Sequence, residues 1–294
     1  MGLGDFFKNI FGKKTCAFCG GECGMMSRTK IKGDEYICSK CDDMCSNYIR
    51  KSRFTKPELE GHMEYMKRSD RIYKEVILPA VTKHDCYPGA TSRQGIEFFD
   101  DFGMFRIMDS SRDNKDRYPT ELFRYDQVSS YEPYIEESEP DEPGKPKIFD
   151  EGGVIIRLVG TKDDTSTMRK GLKAHPYIIE EIKVVFATNE REKENYLIYV
   201  DNVIQHFDYI FGVHDSQRGL FSFGMSKQEK RDLKAAVAFT KTAFDAVKVA
   251  KNGGEITDEK KAEIMENMNA IDDAQTGGLA VYTRAADAAE AKIQ

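Results

Sequence analysis

Cys16-Ala-Phe-Cys19-Gly-Gly-Glu-Cys23 and Cys38-Ser-Lys-Cys41-Asp-Asp-Met-Cys45 share one spacing, and they decide the reading of the N-terminal part of the chain. In each run two cysteines stand three positions apart. That spacing lets one tight turn aim both sulfurs at a single metal while backbone N–H groups of the turn offset the thiolate charge. Two such knuckles complete a tetrahedron. The eighteen residues between Cys19 and Cys38 suit a hairpin with Gly33-Asp34 at its tip and Tyr36-Ile37 leading into the second knuckle. The expectation is a zinc ribbon over residues 15–54 with Cys16, Cys19, Cys38 and Cys41 as ligands.

A disulfide framework is the competing reading of the same cysteines. Met1–Lys14 lacks the charged start, long apolar stretch and cleavage site of a secretory signal, so the expected compartment is the cytoplasm, where thiols stay reduced. Mononuclear iron fits four sulfurs as well, but paired knuckles around a hairpin favour zinc. A closed four-cysteine site leaves no coordination position for water. Such an ion supports folding, by on the order of 10 kcal/mol, and does not support hydrolysis. Cys23 and Cys45 each follow their knuckle by four residues and are expected to pack as small buried side chains, a second metal being the alternative. Cys86 stands beside His84, but sequence neighbours rarely form a nucleophile and base, and no oxyanion-hole motif accompanies them.

At 294 residues the chain has room for about two domains. Its 40% hydrophobic and 11% aromatic content suffices for a core, and 32% charged residues suit a solvated surface. No apolar run approaches the roughly 18 to 20 residues that span a bilayer. Charge is unevenly placed: residues 1–56 hold eleven Lys or Arg against six Asp or Glu, so the rest of a chain of net charge -6 carries -11. Zinc on four thiolates contributes -2, which leaves the N-terminal module only mildly basic.

Beyond the cysteines, Thr55-Lys-Pro-Glu58 reads as a capping box opening a helix to about residue 76. Residues 79–94 read as a loop, so 55–94 forms a linker helix and loop. From Ile96 the period shortens to alternating runs, predicting strands near 95–99, 103–108, 120–124, 127–135, 153–159 and 179–187. Glu136–Pro146, rich in acids and proline, is expected to form an exposed loop, and Asp163–Ala174 a second one. Glu194–Phe211 returns to a helical period, with Leu197, Val200, Ile204, Phe207 and Phe211 on one stripe that caps a β-rich domain over 95–213. His206 on this helix reads as a packed or surface residue, since no ligand cluster stands at sequence spacing beside it. Residues 226–294 predict a tail of helices beginning at Ser226 and Thr257 and a short final one. It packs on the β-rich domain or joins a partner. The fold class is therefore α+β.

Cys16-Ala-Phe-Cys19-Gly20, Lys30-Ile-Lys32 and Tyr36-Ile-Cys-Ser-Lys-Cys41 resemble the N-terminal zinc-ribbon module of an uncharacterised family of bacterial and prophage proteins. The resemblance covers about the first fifty residues, implies a structural zinc site and supplies no activity. Phe98-Phe-Asp-Asp101, Phe105-Arg-Ile107 and Tyr125-Asp-Gln-Val-Ser-Ser-Tyr131 resemble bacterial pleckstrin-homology-like domains. That resemblance implies an antiparallel sheet closed by a C-terminal helix, a place the helix ending at Phe211 would fill.

Three functions compete. The first is a non-enzymatic binding or assembly protein, contacting a protein partner or a second copy of itself. The chain has no G-x-x-x-x-G-K loop, no H-E-x-x-H and no G-x-S-x-G, and no small-molecule substrate is indicated. The second is membrane-surface binding, through Leu3, Phe6, Phe7, Ile10 and Phe11 on one face of a short helix over 1–14; packing on the chain's own zinc module or another chain accounts for the same stripe. The third is nucleic-acid binding through Arg28, Lys30 and Lys32 on the ribbon hairpin, against which stands the acidic body that follows.

Overall fold

The computed structural model describes residues 12–82, 84–90, 93–113, 117–140, 144–160, 171–179, 181–212, 239, 242, 257–275 and 278–293. The expected N-terminal helix, residues 163–170 of the second loop, and the tail helix beginning at Ser226 lie outside them apart from residues 239 and 242.

Two small hairpins open the described chain. β1 (Lys14–Thr15) pairs with β2 (Glu22–Cys23), and β3 (Arg28–Lys30) pairs with β4 (Tyr36–Cys38), both antiparallel. The second turns at Gly33 and Asp34, both with positive φ, the region glycine enters freely and Asp tolerates. A one-turn helix, α1 (Ser39–Asp42), follows β4 directly.

α2 (Lys56–Arg71) starts where the sequence places it, with Thr55 N donating to Glu58 Oε2 at 2.7 Å and Pro57 in the first turn. Leu59, His62, Met66 and Ser69 are buried at helical spacing and form its inner face. The helix widens into a π-helical segment over Ile72–Ile77 and closes with a turn over Leu78–Ala80. Residues 79–94 are not all loop: β5 (Asp85–Tyr87) pairs with β6 (Gln94–Phe99), its residues Asp85, Cys86 and Tyr87 opposite Phe98, Glu97 and Ile96.

The β-domain consists of two antiparallel sheets in sequential order. β5, β6, β7 (Met104–Asp109) and β8 (Phe123–Arg124) form a four-stranded sheet. β9 (Val128–Ser138), β10 (Ile148–Leu158) and β11 (Ile182–Ala187) form a three-stranded one. The expected strand at 120–124 shrinks to two residues, because Thr120 N and Leu122 N donate to Asp70 Oδ1 and Ser69 Oγ of α2 instead of to a strand. The acidic stretch begins as strand: Glu136 pairs with Glu151 and Ser138 with Ile148, and Lys183 forms ion pairs with both Glu136 and Glu151. That cation between them removes the repulsion that would otherwise disfavour facing carboxylates.

α3 (Glu190–Phe211) begins four residues earlier than expected, because Asn189 Oδ1 accepts from Glu192 N at 3.0 Å and caps it. It ends at Gly212 in the left-handed conformation. Val200, Val203, Phe207 and Ile210 are buried against the sheets, where Phe207 meets Phe98 and Phe105 edge-on with ring centroids 5.1 and 5.5 Å away. Two tail helices follow, α4 (Asp258–Gln275) and α5 (Leu279–Ala291). α5 packs on the β-domain: Leu279 and Tyr282 join its main core, and Ala286 and Ala289 join a smaller cluster of Ile72, Val76, Phe99, Met104 and Leu122. Gly103 is required at this contact, since a Cβ there would stand 2.0 Å from Tyr282 O. No described helix is long and apolar enough to cross a membrane.

Candidate metal centre

The four cysteines at knuckle spacing converge. One sulfur each from Cys16, Cys19, Cys38 and Cys41 lies within 4.8 Å of all the others. Cys19 Sγ and Cys38 Sγ are 3.6 Å apart, close to the roughly 3.8 Å edge of a tetrahedron with metal–sulfur bonds of about 2.3 Å. All seven cysteines are free thiols. The site could therefore hold a metal ion, and its all-sulfur donor set and spacing fit zinc.

Local backbone explains the convergence. The first knuckle turns back on itself, with Gly20 N donating to Cys16 O at 3.0 Å and Cys16 N to Gly21 O at 2.8 Å. Gly20 sits at φ 70°, a left-handed conformation that glycine adopts without strain, and so lets the chain turn back after Cys19. Ala17 N donates to Tyr36 O at 2.8 Å and brings the first knuckle against the second hairpin. Cys38 stands at the N-cap of α1, and Cys41 lies in that helix.

Electrostatics separate the four thiols. Burial works against the Cys16 thiolate, but the N–H groups of Cys19, Cys38 and Phe18 outweigh it and bring that thiol down to about 6. Burial, and then hydrogen bonds with Cys38, Cys16 and Cys19, push the Cys41 thiol far up. Four sulfurs this close cannot all ionise unaided, and a divalent cation supplies the charge that lets them.

Cys23 and Cys45 are buried outside the cluster and donate to backbone carbonyls, Cys23 to Lys14 O at 3.3 Å and Cys45 to Cys41 O at 3.8 Å. Cys86 on β5 packs its sulfur 3.6 Å from Met108 Sδ, and burial raises its thiol, the opposite of what a nucleophile needs. His84 turns instead to Glu97, 2.8 Å away. Of the cations proposed for nucleic acid, Arg28 donates to Gly12 O and stacks over Tyr36, Lys30 pairs with Asp34 at 2.6 Å, and Lys32 is exposed. Leu3, Phe6, Phe7, Ile10 and Phe11 lie outside the described residues.

The metal module does not stand alone. Cys16, Ile31, Ile37, Cys45 and Ile49 belong to the same buried cluster as Phe105, Phe123, Ile179 and Phe207 of the β-domain, and Ile49 bridges Ile179. Polar contacts line the seam. Ser46 N donates to His62 Nε2 at 3.0 Å, Ser46 Oγ to Glu121 Oε2 at 2.8 Å, and Arg112 to the carbonyls of Asp43 and Cys45. Ser46, His62 and Glu121 are not a catalytic triad, because the imidazole meets the serine's backbone N–H and not its hydroxyl. A cavity of about 320 Å³ opens along the seam, lined by Tyr48, Tyr73, Arg106, Arg112, Tyr118 and Glu121 among others. Burial raises the Glu121 carboxyl to about 7. The sequence offers no signal for this constellation, since Ser46 and Glu121 are 75 positions apart.

His206 is packed, one of the two readings its sequence context allows, and it also has charged neighbours. It lies on the inner side of α3, and two carboxylates meet it from elsewhere in the chain: Asp100 Oδ1 at 3.0 Å from Nε2 and Asp85 Oδ2 at 3.5 Å from Nδ1. Sequence spacing gave no warning because Asp100 comes from the turn after β6 and Asp85 from an unexpected strand.

A model of a protein family described as a domain of unknown function, DUF4428, matches residues 15–62. That segment holds all four sulfurs and the first two turns of α2. No curated protein and no solved structure matches the chain.

Proposed function

We propose that this chain is a non-enzymatic, zinc-containing binding and assembly protein, in which a zinc ribbon and a pleckstrin-homology-like domain form one recognition body and the helical tail makes protein–protein contacts. The observation that carries this reading is the continuous core from Cys16 and Ile37 through Phe123 to Phe207. An ion enclosed by four thiolates has no open coordination position, so its role is to brace the surface it is built into. Four- and three-stranded antiparallel sheets in sequential order, followed by α3, support the pleckstrin-homology-like reading. The paired knuckles on two hairpins support the ribbon.

The tail supplies the contact surface. α5 anchors it to the body, while on α4 Met265 and Met268 are 57% and 53% exposed, three positions apart on one face. Methionine pairs of this kind suit an adaptable protein contact. Light scattering on the zinc-loaded full chain tests the reading. The expected result is an oligomer that Met265→Glu with Met268→Glu dissociates without loss of zinc. A monomer at every concentration would remove self-assembly and shift the search to vesicles and outside partners.

A further inference from the structure

We propose that Asp85, Asp100 and His206 form a second, open cation site on the β-domain, separate from the four cysteines and taking a divalent first-row ion such as Mn2+ or Zn2+. One donor atom from each of the three residues lies within 4.8 Å of the other two. Carboxylate oxygen with imidazole nitrogen is a donor set of intermediate hardness, suited to these ions and unsuited to a soft ion that demands thiolate.

The three donors come from three elements, β5, the turn after β6, and α3, so the site is assembled by the tertiary fold. Its geometry is held from behind. The His206 ring stacks on Phe98 with centroids 4.0 Å apart and planes 15° from parallel, and its side chain is only 7% exposed. Tyr125, fully buried, donates its hydroxyl to Asp100 Oδ1 at 2.7 Å, the kind of outer hydrogen bond that orients a ligating carboxylate. Tyr87 OH lies 3.4 Å from His206 Nδ1. On the solvent side the site is reachable, with Asp85 and Asp100 side chains 53% and 38% exposed.

Charge completes the argument. Two carboxylates face one imidazole, and among the described residues no Lys or Arg pairs with Asp85, although ion pairs elsewhere on the surface are plentiful. A buried aromatic-backed imidazole is not what an ordinary solvated acidic turn provides. With three protein ligands, a bound ion keeps positions for water or an anionic group, unlike the closed thiolate centre.

Mn2+ is the probe, because it does not compete for the four thiolates. The zinc-loaded full chain is titrated with Mn2+, and the free-ion electron paramagnetic resonance signal is followed. The expected result is one saturable site, weakened at least about tenfold in Asp85→Asn and in His206→Gln. Asp85→Asn carries the decision, since that exposed residue can change without disturbing the core; an unaltered melting temperature confirms that the variant is folded. No saturable binding, or binding of equal strength in Asp85→Asn, overturns the proposal and leaves His206 as a polar contact between α3 and β5.

Discussion

Arg124 Nη2 donates to Asp287 Oδ1 at 2.7 Å, joining a strand end of the β-domain to the last helix across 163 positions of sequence. The same guanidinium holds Asp126, which is 1% exposed, and Glu290 of α5 at 3.0 Å, while Lys173 reaches both Asp126 and Asp287. Arg124 is therefore the post on which the tail is hung.

The two ends of this network should respond differently to mutation. Arg124→Ala strips Asp126 of two guanidinium hydrogen bonds and leaves Lys173, 3.7 Å away, as its remaining cation, so the cost should fall short of the roughly 3 to 5 kcal/mol of a wholly unpaired buried charge yet exceed that of an exposed pair. Asp287 is half exposed, and Asp287→Ala should cost about 1 kcal/mol or less. Urea unfolding measures both. Equal effects would mean that Asp126 finds another partner.

Glu121 makes the seam sensitive to pH. Its folded-state carboxyl is raised from 4.5 to about 7 by burial, and Oε1 has no hydrogen-bond partner among the described residues. The folded protein thus holds this proton more tightly than the unfolded chain. The stability it contributes is fully present below about 4.5 and is lost as pH rises through 7, by up to roughly 3 kcal/mol. Glu121→Gln keeps an acceptor for Ser46 and should remove that loss, so that the variant melts higher than the parent at pH 8. A parent whose advantage grows toward pH 8 would contradict the assignment.

What the sequence made legible was whatever is encoded locally. The four clustered cysteines announce themselves by spacing, Thr55 and Glu58 by capping chemistry, and β6 and β7 by apolar alternation around the Asp100 turn. What stayed hidden depends on a distant partner. Asp85–Tyr87 is three residues long, flanked by Pro88-Gly89, and becomes a strand only because β6 supplies hydrogen bonds. Glu136 looks like loop until Lys183, 47 positions on, neutralises it. The carboxylates around His206 and the Ser46–Glu121 pair are invisible for the same reason: topology, not spacing, brings them together.

Two buried histidines give the opposite pH trend. Burial lowers His62 and His175 from 6.5 to about 4, and both must stay neutral in the folded protein. Their contribution is intact above about 6.5 and is lost as pH falls toward 4, by up to roughly 3 kcal/mol each. His175→Gln, which can still accept from Tyr65 OH, should flatten the decline in melting temperature between pH 6.5 and 4.5. An unchanged slope would place the acid-sensitive groups elsewhere.

Removal of the proposed metal tests whether the four-cysteine module and the β-domain are one cooperative unit. Ile31, Ile37, Cys45 and Ile49 of the module are buried in the same cluster as Phe123, Ile179 and Phe207, so the apo module cannot unfold without opening that cluster to water. A structural zinc site contributes on the order of 10 kcal/mol to the fold that contains it. Chelation, or Cys38→Ser, should therefore abolish zinc binding and also lower the calorimetric transition of the β-domain, with a fall in near-ultraviolet circular dichroism from the packed Tyr48–Phe123 pair. An independent module would behave otherwise: its own small transition would vanish while the β-domain melted at an unchanged temperature. The seam contacts of Ser46 with His62 and Glu121 argue for the coupled outcome, because losing them strands buried polar groups on the β-domain side as well.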